Sequence, residues 1–415
     1  MKNTGHQIHP TKWIKNQRSE SLAGKTIVLG VTGSIAAVRV VEMSRDLIRN
    51  GADVYAVTTE ASEWIINPFA LNYATGNNVI TELTGDVEHV KFCGLNGCAD
   101  LLVIVPATAN TIGKIAGGID DTPVTTFATT ALGSNIPIMI VPAMHESMYN
   151  HPGVVENIDK LKSWGVSFVG PYFEEGVAKV APNDTVELNV ERAAGDGDLT
   201  GIKILITGGA TAESIDPIRI LTNRSSGKTG IELALEAYRR GAYVTIVHRN
   251  HLDVQGINEK YVESADQMID AVMDELDNGY DAFISSAAIS DYTLDYSSHK
   301  IKSGNDQLSL VLKPTRKLLN EVRKAYPKLV ITGFKAETGI KVDELISRSQ
   351  KLQQEHGVDL MVANNVGYKG MGDDTNEVYI IDSDSGKPVH VSGSKRVIAS
   401  KVFDNLAEKL KRGIF

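Results

Sequence analysis

Cysteine is scarce in this chain, with only Cys93 and Cys98 among 415 residues. Two thiols are too few for a disulfide scaffold, and such scarcity is typical of proteins from a reducing compartment. No full set of cysteine and histidine ligands accompanies this pair, so a zinc site is not expected.

Long apolar runs are also missing. Segments such as 101–105 and 136–141 are far shorter than the roughly 20 residues needed to cross a bilayer. Residues 1–20 contain basic residues but no apolar segment, so they predict a flexible N-terminal tail rather than a signal peptide. We therefore expect a cytoplasmic protein with no membrane partner.

The chain has no basic block, and its formal net charge is -9. Binding to a phosphate backbone needs clustered Lys and Arg, so nucleic acid is not an expected partner. Hydrophobic residues at 42% and charged residues at 22% are ordinary globular values. A length of 415 residues favours two domains.

Apolar runs alternate with amphipathic stretches in both halves, which predicts an α/β fold built from two doubly wound domains with parallel sheets. A small, polar, glycine-rich stretch at 193–200 predicts a linker between domains 21–192 and 201–415. The predicted strands are 27–31, 54–57, 101–105, 136–141, 166–169, 203–206, 244–247, 282–285, 329–332, 360–363 and 378–381.

Ligands of open α/β sheets bind at the carboxyl ends of the strands, where helix N-termini offer free N–H groups. Two first-half loops, 32–36 and 106–110, combine glycine, small and hydroxyl residues at such ends. The first could equally be a tight turn, and Thr108 could simply cap a helix.

Together these loops resemble a family. The order GSIAA, His89, PATAN and PAM-x-x-x-M over 25–182 is similar to the FMN-dependent cysteine decarboxylases, specifically the phosphopantothenoylcysteine decarboxylases. The resemblance implies a flavodoxin-like subunit that binds FMN between neighbouring subunits of trimers or their multiples. It implies His89 as a catalytic residue and His145 and Met148 as substrate contacts. The implied cofactor-binding residues are Gly33, Ser34, Ile35, Pro106, Ala107, Thr108, Asn110 and Met144.

Two positions depart from the family pattern. His145 stands where bacterial members carry an asparagine that contacts the substrate carboxylate, and an imidazole can still donate a hydrogen bond there. The flap cysteine that serves as an acid is absent from 173–180. Our hypothesis for the replacement proton donor includes Lys179, Glu174, Glu175, Cys93 and Cys98.

The second half opens with a strand and a Gly/Thr loop at 203–211, followed by the string DPIRILTNRSSGKTG at 216–230. Its SSGK segment, at a predicted helix start (228–240), resembles a phosphate loop. The Walker spacing G-x-x-x-x-G-K is missing, however, so the segment is not a P-loop in the strict sense.

This string, with SSAAISDY (285–292), KIKS (300–303), KPT (313–315), GFKAET (333–338) and VANN (362–365), resembles the phosphopantothenate-cysteine ligases over 202–406. The resemblance implies a Rossmann-like domain that uses CTP and Mg²⁺ or another divalent cation, whose ligands it leaves unassigned. Asn223 and Lys300 would be catalytic, and Asn223 and Arg219 would bind substrate. The implied nucleotide contacts are Gly209, Ser285, Ser286, Ala287, Asp291, Lys300, Lys302, Pro314, Thr315, Arg316, Lys317, Phe334 and Lys351.

A decarboxylase fused to such a ligase resembles the bifunctional enzymes of coenzyme A biosynthesis. The implied small-molecule substrates are 4'-phosphopantothenate, L-cysteine and CTP, and the implied product is 4'-phosphopantetheine. The implied assembly is a homo-oligomer, a dodecamer built from trimeric and dimeric contacts. Three alternatives stay open: a related flavin enzyme fused to an unrelated nucleotide-binding domain, a non-enzymatic flavoprotein as first domain, and ATP in place of CTP.

Overall fold

The computed structural model describes residues 9–174, 177–302, 307–367 and 372–413. The chain forms two compact units, 1–196 and 197–415. Their boundary falls inside the stretch 193–200, although the last helix of the first unit runs to Ala194 and so takes up the start of that stretch. None of the described helices combines the length and apolarity needed to span a bilayer.

The first unit contains a five-stranded parallel sheet in the order β2-β1-β3-β4-β6 and a three-stranded antiparallel sheet in the order β5-β8-β7. Its strands are β1 (Thr26–Val31), β2 (Asp53–Thr58), β3 (Leu101–Ala107), β4 (Ile138–Pro142), β5 (Met144–His145), β6 (Ser167–Phe168), β7 (Tyr172–Glu174) and β8 (Val177–Lys179). The order of the large sheet is that of doubly wound flavodoxin-like folds.

Helices cover both faces of this sheet. They are α1 (Val40–Arg49), α2 (Glu60–Glu63), α3 (Pro68–Thr75), α4 (Glu88–Cys93), α5 (Ala109–Gly117), α6 (Pro123–Gly133), α7 (Glu146–Tyr149), α8 (Pro152–Ser163) and α9 (Asn183–Ala194), with 3₁₀ helices Pro10–Ile14 and Ile35–Arg39. α1, α3 and α9 pack with Ile27 and Leu29 of β1, whereas α5, α6 and α8 pack with Val28. Burial on both faces explains why the strands read as continuous apolar runs.

The prediction of a flexible tail is wrong for residues 9–20. The chain forms a 3₁₀ helix at Pro10–Ile14, and the Arg18 guanidinium then lies 2.8 Å from the Glu187 carboxylate and 3.1 Å from that of Asp46. Glu187 and Asp46 are buried on α9 and α1. Because a buried carboxylate without a partner is strongly destabilising, these two helices hold the segment in place.

The second unit contains an eight-stranded sheet in the order β13-β12-β9-β14-β17-β18-β19-β20. Its strands and those of two separate hairpins are β9 (Lys203–Thr207), β10 (Ala212–Ser214), β11 (Ile220–Thr222), β12 (Tyr243–His248), β13 (Ile257–Tyr261), β14 (Ala282–Ser285), β15 (Tyr292–Leu294), β16 (Leu312–Pro314), β17 (Val330–Glu337), β18 (Leu360–Asn365), β19 (Thr375–Asp382) and β20 (Pro388–Ser394). The first six strands of the sheet are parallel in the Rossmann order, and β19 and β20 add an antiparallel edge.

The helices of this unit are α10 (Lys228–Arg239), α11 (Ala265–Leu276), α12 (Leu318–Ala325), α13 (Val342–His356) and α14 (Lys395–Gly413). α11, α12 and α13 share one apolar cluster with Leu205 and Phe283 of the sheet. α10 packs against α14 on the other face. Both units therefore confirm the predicted α/β, doubly wound fold class, while the antiparallel edge and the hairpins β10–β11 and β15–β16 were not predicted.

Candidate active sites

The loops after β1 and β3 are tied together by one side chain. The Thr32 hydroxyl donates to the carbonyl oxygen of Pro106 at 2.7 Å and accepts from the N–H of Thr108 at 3.2 Å. A Cβ on Gly33 would lie 2.7 Å from the Cβ of Ala61, so only glycine lets this loop pass so close to the neighbouring one. The predicted cofactor positions 33–35 and 106–110 thus lie side by side at one sheet edge.

Thr108 has the capping role that the sequence left open. Its hydroxyl oxygen accepts from the N–H of Thr111 at 3.3 Å, at the start of α5. Asn110 follows in the first turn and is exposed. Because the first N–H groups of a helix lack partners within the helix, this end can donate to a phosphate.

Buried polar atoms without a hydrogen-bond partner in the described part of the first unit include one on α4 and one directly after β2. They are Nδ1 of His89, on α4, and the hydroxyl oxygen of Thr59, at the end of β2. Buried polar atoms are normally paired, so each of these atoms is open to a ligand or to a water molecule. Thr59 was not predicted, although its place after an apolar strand is a signal that could have found it.

The predicted substrate contacts lie beside the hairpin that corresponds to the flap. Met144 and His145 form β5, whose backbone pairs with β8. His145 and Met148 are exposed, and Nδ1 of His145 lies 3.3 Å from the Ser147 hydroxyl. Glu175, one of the predicted proton donors, lies outside the described residues, as does Ser303 of the KIKS segment.

The structure contradicts the hypothesis that Cys93 is the proton donor. Cys93 is fully buried in the apolar cluster formed by α5, α6 and α8, whereas Cys98 is exposed. Burial raises the pKa of the Cys93 thiol to about 12, and the neighbouring Cys98 adds to the shift. A thiol in this position can neither reach a substrate nor release its proton near neutral pH.

In the second unit, glycines bring the start of α10 against the end of β9. A Cβ on Gly230 would lie 2.6 Å from the Cα of Gly208, and a Cβ on Gly227 would lie 3.1 Å from the Cα of Gly209. Gly209 and Gly227 also have φ of +78°, a left-handed conformation that favours glycine. Backbone therefore packs on backbone, and the first N–H groups of α10 face the strand end.

Hydrogen bonds join this loop to the one after β14. The Ser286 hydroxyl donates to the carbonyl oxygen of Thr207 at 2.6 Å, and the N–H of Ala288 donates to that of Gly209 at 2.8 Å. Nδ2 of Asn223 donates to the carbonyl oxygen of Ala288 at 3.0 Å. Asn223 is thereby fixed between the two predicted nucleotide loops.

A pocket of about 700 Å³ opens at this edge of the sheet. The predicted site residues that line it are Gly209, Asn223, Ser285, Ser286, Ala287, Asp291, Thr315, Arg316, Lys317 and Phe334. Among the residues that the structure describes, the remaining predicted ones are not part of its wall: Arg219, Lys300, Lys302, Pro314 and Lys351.

Arg219 has a structural partner instead. Its guanidinium lies 2.7 Å from the Asp216 carboxylate and donates to the carbonyl oxygen of Ile301 at 3.1 Å. Burial alone would raise the pKa of Asp216, but backbone N–H donors and Arg219 hold it below its usual range. The pair Arg219–Asp216 therefore anchors the segment that carries the exposed residues Lys300 and Lys302.

The pocket wall is strongly cationic although the chain as a whole is acidic. It contains one carboxylate, Asp291, and six cationic side chains: Arg224, Lys228, Arg316, Lys317, Lys335 and Lys395. Such a wall suits an anionic ligand. Arg224, Lys228, Lys335 and Lys395 were not predicted as site residues. The motif segments nevertheless contain three of them: Arg224 and Lys228 lie in the string 216–230, and Lys335 lies in GFKAET.

Ion pairs hold most of these cations. Lys228 lies 2.6 Å from Asp374, Arg316 lies 2.6 Å from Glu321, Lys335 lies 3.3 Å from Glu337, and Lys317 pairs with Asp291. Across the described ranges, no three His, Cys, Asp or Glu side chains are grouped so as to hold a metal ion.

Comparisons with known proteins agree with this two-site arrangement. Residues 15–194 match the Flavoprotein family, and residues 199–410 match the C-terminal domain of the DNA/pantothenate metabolism flavoproteins. Fold and sites thus define a two-domain α/β flavoprotein with a cationic pocket in its second domain.

Similar proteins extend over nearly the whole chain. Over 408 residues it is 46% identical to the coenzyme A biosynthesis bifunctional protein CoaBC of Thermococcus kodakarensis, covering 97% of this chain and 100% of that one. It is 40% identical over 407 residues to the CoaBC of Methanocaldococcus jannaschii, covering 97% and 98%. The chain belongs to the family of coenzyme A biosynthesis bifunctional proteins. It is a bifunctional enzyme with ligase and decarboxylase activities.

One solved structure, the C-terminal domain of a CoaBC protein, is 27% identical over 52% of this chain and 100% of that domain, with a TM-score of 0.44.

The burial of Cys93 leads to a test by thiol labelling. At pH 8 a disulfide reagent such as DTNB should modify one thiol per native chain, Cys98, because the Cys93 thiol is buried and its pKa is about 12. Unfolding in guanidinium should release the second thiol, and C98S should remove the native reaction. Equal labelling rates for Cys93 in the native and unfolded chain would show that it is accessible.

Proposed function

We propose that the second unit joins 4'-phosphopantothenate to L-cysteine with CTP and Mg²⁺, and that the first unit decarboxylates the 4'-phosphopantothenoylcysteine with FMN to give 4'-phosphopantetheine and CO₂. The observation that carries the proposal is the cationic pocket around Asn223 in a chain whose other half is a flavoprotein domain. Each reaction has its site within one unit, so the two should be separable by mutation.

The residues of the first site fit a flavin mononucleotide. Gly33 packs closely against Ala61, so the loop offers backbone rather than a side chain to a ligand at this point. The start of α5 supplies N–H donors for a phosphate. Nδ1 of His89 is free to accept or donate a hydrogen bond within the described chain. When bound, the flavin supplies the oxidation and reduction of the substrate's thiol-bearing end, on which loss of CO₂ depends.

His89 would handle the proton of this reaction. An imidazole can accept and donate a proton near neutral pH. Its Nδ1 is buried and has no partner in the described chain, so no internal hydrogen bond has to break before it meets a substrate. His145, exposed at the end of β5, would donate to the substrate carboxylate.

The burial of Cys93 removes one candidate for the proton donor that replaces the flap cysteine. Lys179, Glu174, Glu175 and Cys98 stay as candidates. We favour Lys179 and Glu174, which belong to β8 and β7, because β8 pairs directly with β5, which carries His145.

The pocket of the second unit would bring a carboxylate and a triphosphate together. These anions repel each other, so fixed positive charges must screen them. Arg316 and Lys317 lie at the start of α12. Lys228 lies at the start of α10, on the opposite face of the eight-stranded sheet. With no ligand group for a metal among the described residues, we expect the divalent cation to be held largely by the nucleotide phosphates.

The ligation then takes two balanced steps. The carboxylate oxygen of 4'-phosphopantothenate attacks the α-phosphorus of CTP, and pyrophosphate leaves. The amine of cysteine next attacks the acyl carbon, CMP leaves, and the amine loses one proton. Asn223 would hold the acyl-nucleotide, because its uncharged amide can donate hydrogen bonds to the oxygens of this intermediate without adding charge to the site.

Several predicted nucleotide and substrate contacts lie outside the pocket wall and remain proposals. Lys300 and Lys302 are exposed beside Ile301, from where flexible side chains could reach a triphosphate. Lys351 and Arg219 do not line the pocket. The guanidinium of Arg219 is paired with the carboxylate of Asp216 instead. CTP rather than ATP follows from the family resemblance, and a ligation assay with each nucleotide separates them.

The first unit has features of an oligomer contact. Ile35, Trp64 and Phe69 follow the carboxyl ends of β1 and β2 and are 77%, 82% and 82% exposed. Exposed large apolar side chains at one edge of a sheet can mark an interaction site. We propose that they contact a neighbouring copy beside the flavin, in the trimer from which the dodecamer is built.

This contact can be tested by light scattering. W64E and F69E should each shift the mass to smaller assemblies, because a buried charge at the interface would lack a partner. E60Q, at an exposed site on α2, is the matched control and should leave the mass unchanged. A wild type that is monomeric at micromolar concentration would contradict the proposal.

The two activities can be separated by single substitutions. N223D should lower pyrophosphate release by about a hundredfold or more, because it places a negative charge against the acyl-nucleotide, and should spare CO₂ release from supplied 4'-phosphopantothenoylcysteine. H89N should lower CO₂ release by a similar factor and spare pyrophosphate release.

Each variant serves as the other's control, since both assays use the same protein preparation. Loss of both activities in either variant, at unchanged melting temperature, would contradict two independent sites. A wild type that releases neither product would overturn the proposed function.

A further inference from the structure

Lys395 is a buried cation that makes no hydrogen bond through its ammonium group to any described residue. It is the first residue of α14, lines the pocket and is only 8% exposed. Its Nζ has no hydrogen-bond partner in the part of the chain that the structure describes. Lysine is seldom buried unless it is paired, so this ammonium group calls for an explanation.

No described carboxylate serves as a counter-ion to Lys395 alone. Burial lowers the pKa of Lys395, and the nearby charge of Lys228 lowers it further, while Asp374, Asp373 and Glu232 act in the opposite direction. Asp374 is already engaged by Lys228 at 2.6 Å. The charge of Lys395 is therefore only partly balanced by the protein itself.

The position of Lys395 adds to this positive charge. α10 and α14 pack against each other, and both begin at the pocket with a lysine, Lys228 and Lys395. Helix N-termini carry partial positive charge and free N–H groups. This end of the pocket is thus rich in cations, and its wall contains an ammonium group that has no hydrogen bond to the residues the structure describes.

The opposite end of the pocket has different residues. Thr315, Arg316 and Lys317 lead into α12, which packs on the other face of the sheet from α10 and α14. Asp291, Arg316 and Lys317, the charged wall residues expected to contact the nucleotide, lie at that end. Two uncharged expected contacts, Gly209 and Ser286, lie instead beside the start of α10. A second anionic group, belonging to the other substrate, would be accommodated at the α10–α14 end.

We propose that Lys395 provides the positive charge that binds the terminal phosphate monoester of the acyl substrate, together with Lys228 and the first turns of α10 and α14. This inference rests on the proposed ligase function. Lys395 contributes affinity for the phosphorylated substrate and discriminates against its unphosphorylated analogue.

The proposal has a consequence for the free protein. An ammonium group buried without a hydrogen bond destabilises the fold, and an apolar side chain of similar length should relieve that penalty. A residue that lowers the stability of the free protein is expected at a position where it binds a ligand. K395M should therefore raise the melting temperature of the ligand-free enzyme while it weakens phosphate binding.

The experiment is calorimetric titration of the full-length wild type and K395M with 4'-phosphopantothenate, pantothenate and CTP. K395M should bind 4'-phosphopantothenate about ten- to hundredfold more weakly, the range expected for a hydrogen bond to a charged group. Its affinity for pantothenate and for CTP should stay within about twofold of the wild type.

K401M is the matched control. Lys401 lies on the same helix, is exposed and pairs with Asp404 at 2.8 Å. The pairing is a surface ion pair of small value, so K401M should change neither the melting temperature nor any of the three affinities appreciably.

The other outcomes overturn the proposal in distinct ways. Wild-type affinity of K395M for 4'-phosphopantothenate would show that Lys395 does not bind the phosphate. An equal loss for pantothenate would assign Lys395 to pocket shape, and a loss confined to CTP would assign it to the triphosphate. A wild type that binds 4'-phosphopantothenate no better than pantothenate would defeat the proposed function itself.

Discussion

The second unit depends on close packing between two pairs of glycines. Gly208 and Gly209 end β9, Gly227 and Gly230 begin α10, and any Cβ at Gly230 would overlap the opposite backbone. This contact turns the first N–H groups of α10 towards the strand ends. The pocket, the position of Asn223 beside Ala288 and the cations around them all follow from that placement.

The first unit meets the same requirement by other means. Here a side chain, the Thr32 hydroxyl, joins the loops after β1 and β3, and Gly33 packs on Ala61 rather than on another glycine. Both units thus place helix starts and small residues at the carboxyl edge of a parallel sheet, where doubly wound folds bind their ligands. Their different loops suit a flat, redox-active cofactor in one case and a flexible acyl substrate with a triphosphate in the other.

Much of this architecture could be predicted from the sequence, because strands buried on both faces are continuous apolar runs. The predicted strands 27–31 and 282–285 match β1 and β14 within one residue. The strands of the hairpins β10–β11 and β15–β16 have only three residues each, which is too short for a recognisable apolar run.

Residues of the pocket wall could be picked out where a local motif marks them, as for Gly209, Asn223 and Ser285. Lys395 has no such motif. It is far from Lys228 in sequence, and only the packing of α14 on α10 brings the two lysines to one pocket. Residues 9–20 are a similar case, since the buried carboxylates that hold Arg18 lie in distant helices.

The most direct test of the account is a crystal structure of the enzyme with FMN and 4'-phosphopantothenate. We expect the phosphate monoester within about 3 Å of backbone N–H groups in the first turn of α10, and the flavin phosphate at the loops after β1 and β3. Either phosphate bound away from these strand ends, or a pocket closed by residues 222–230, would contradict the account.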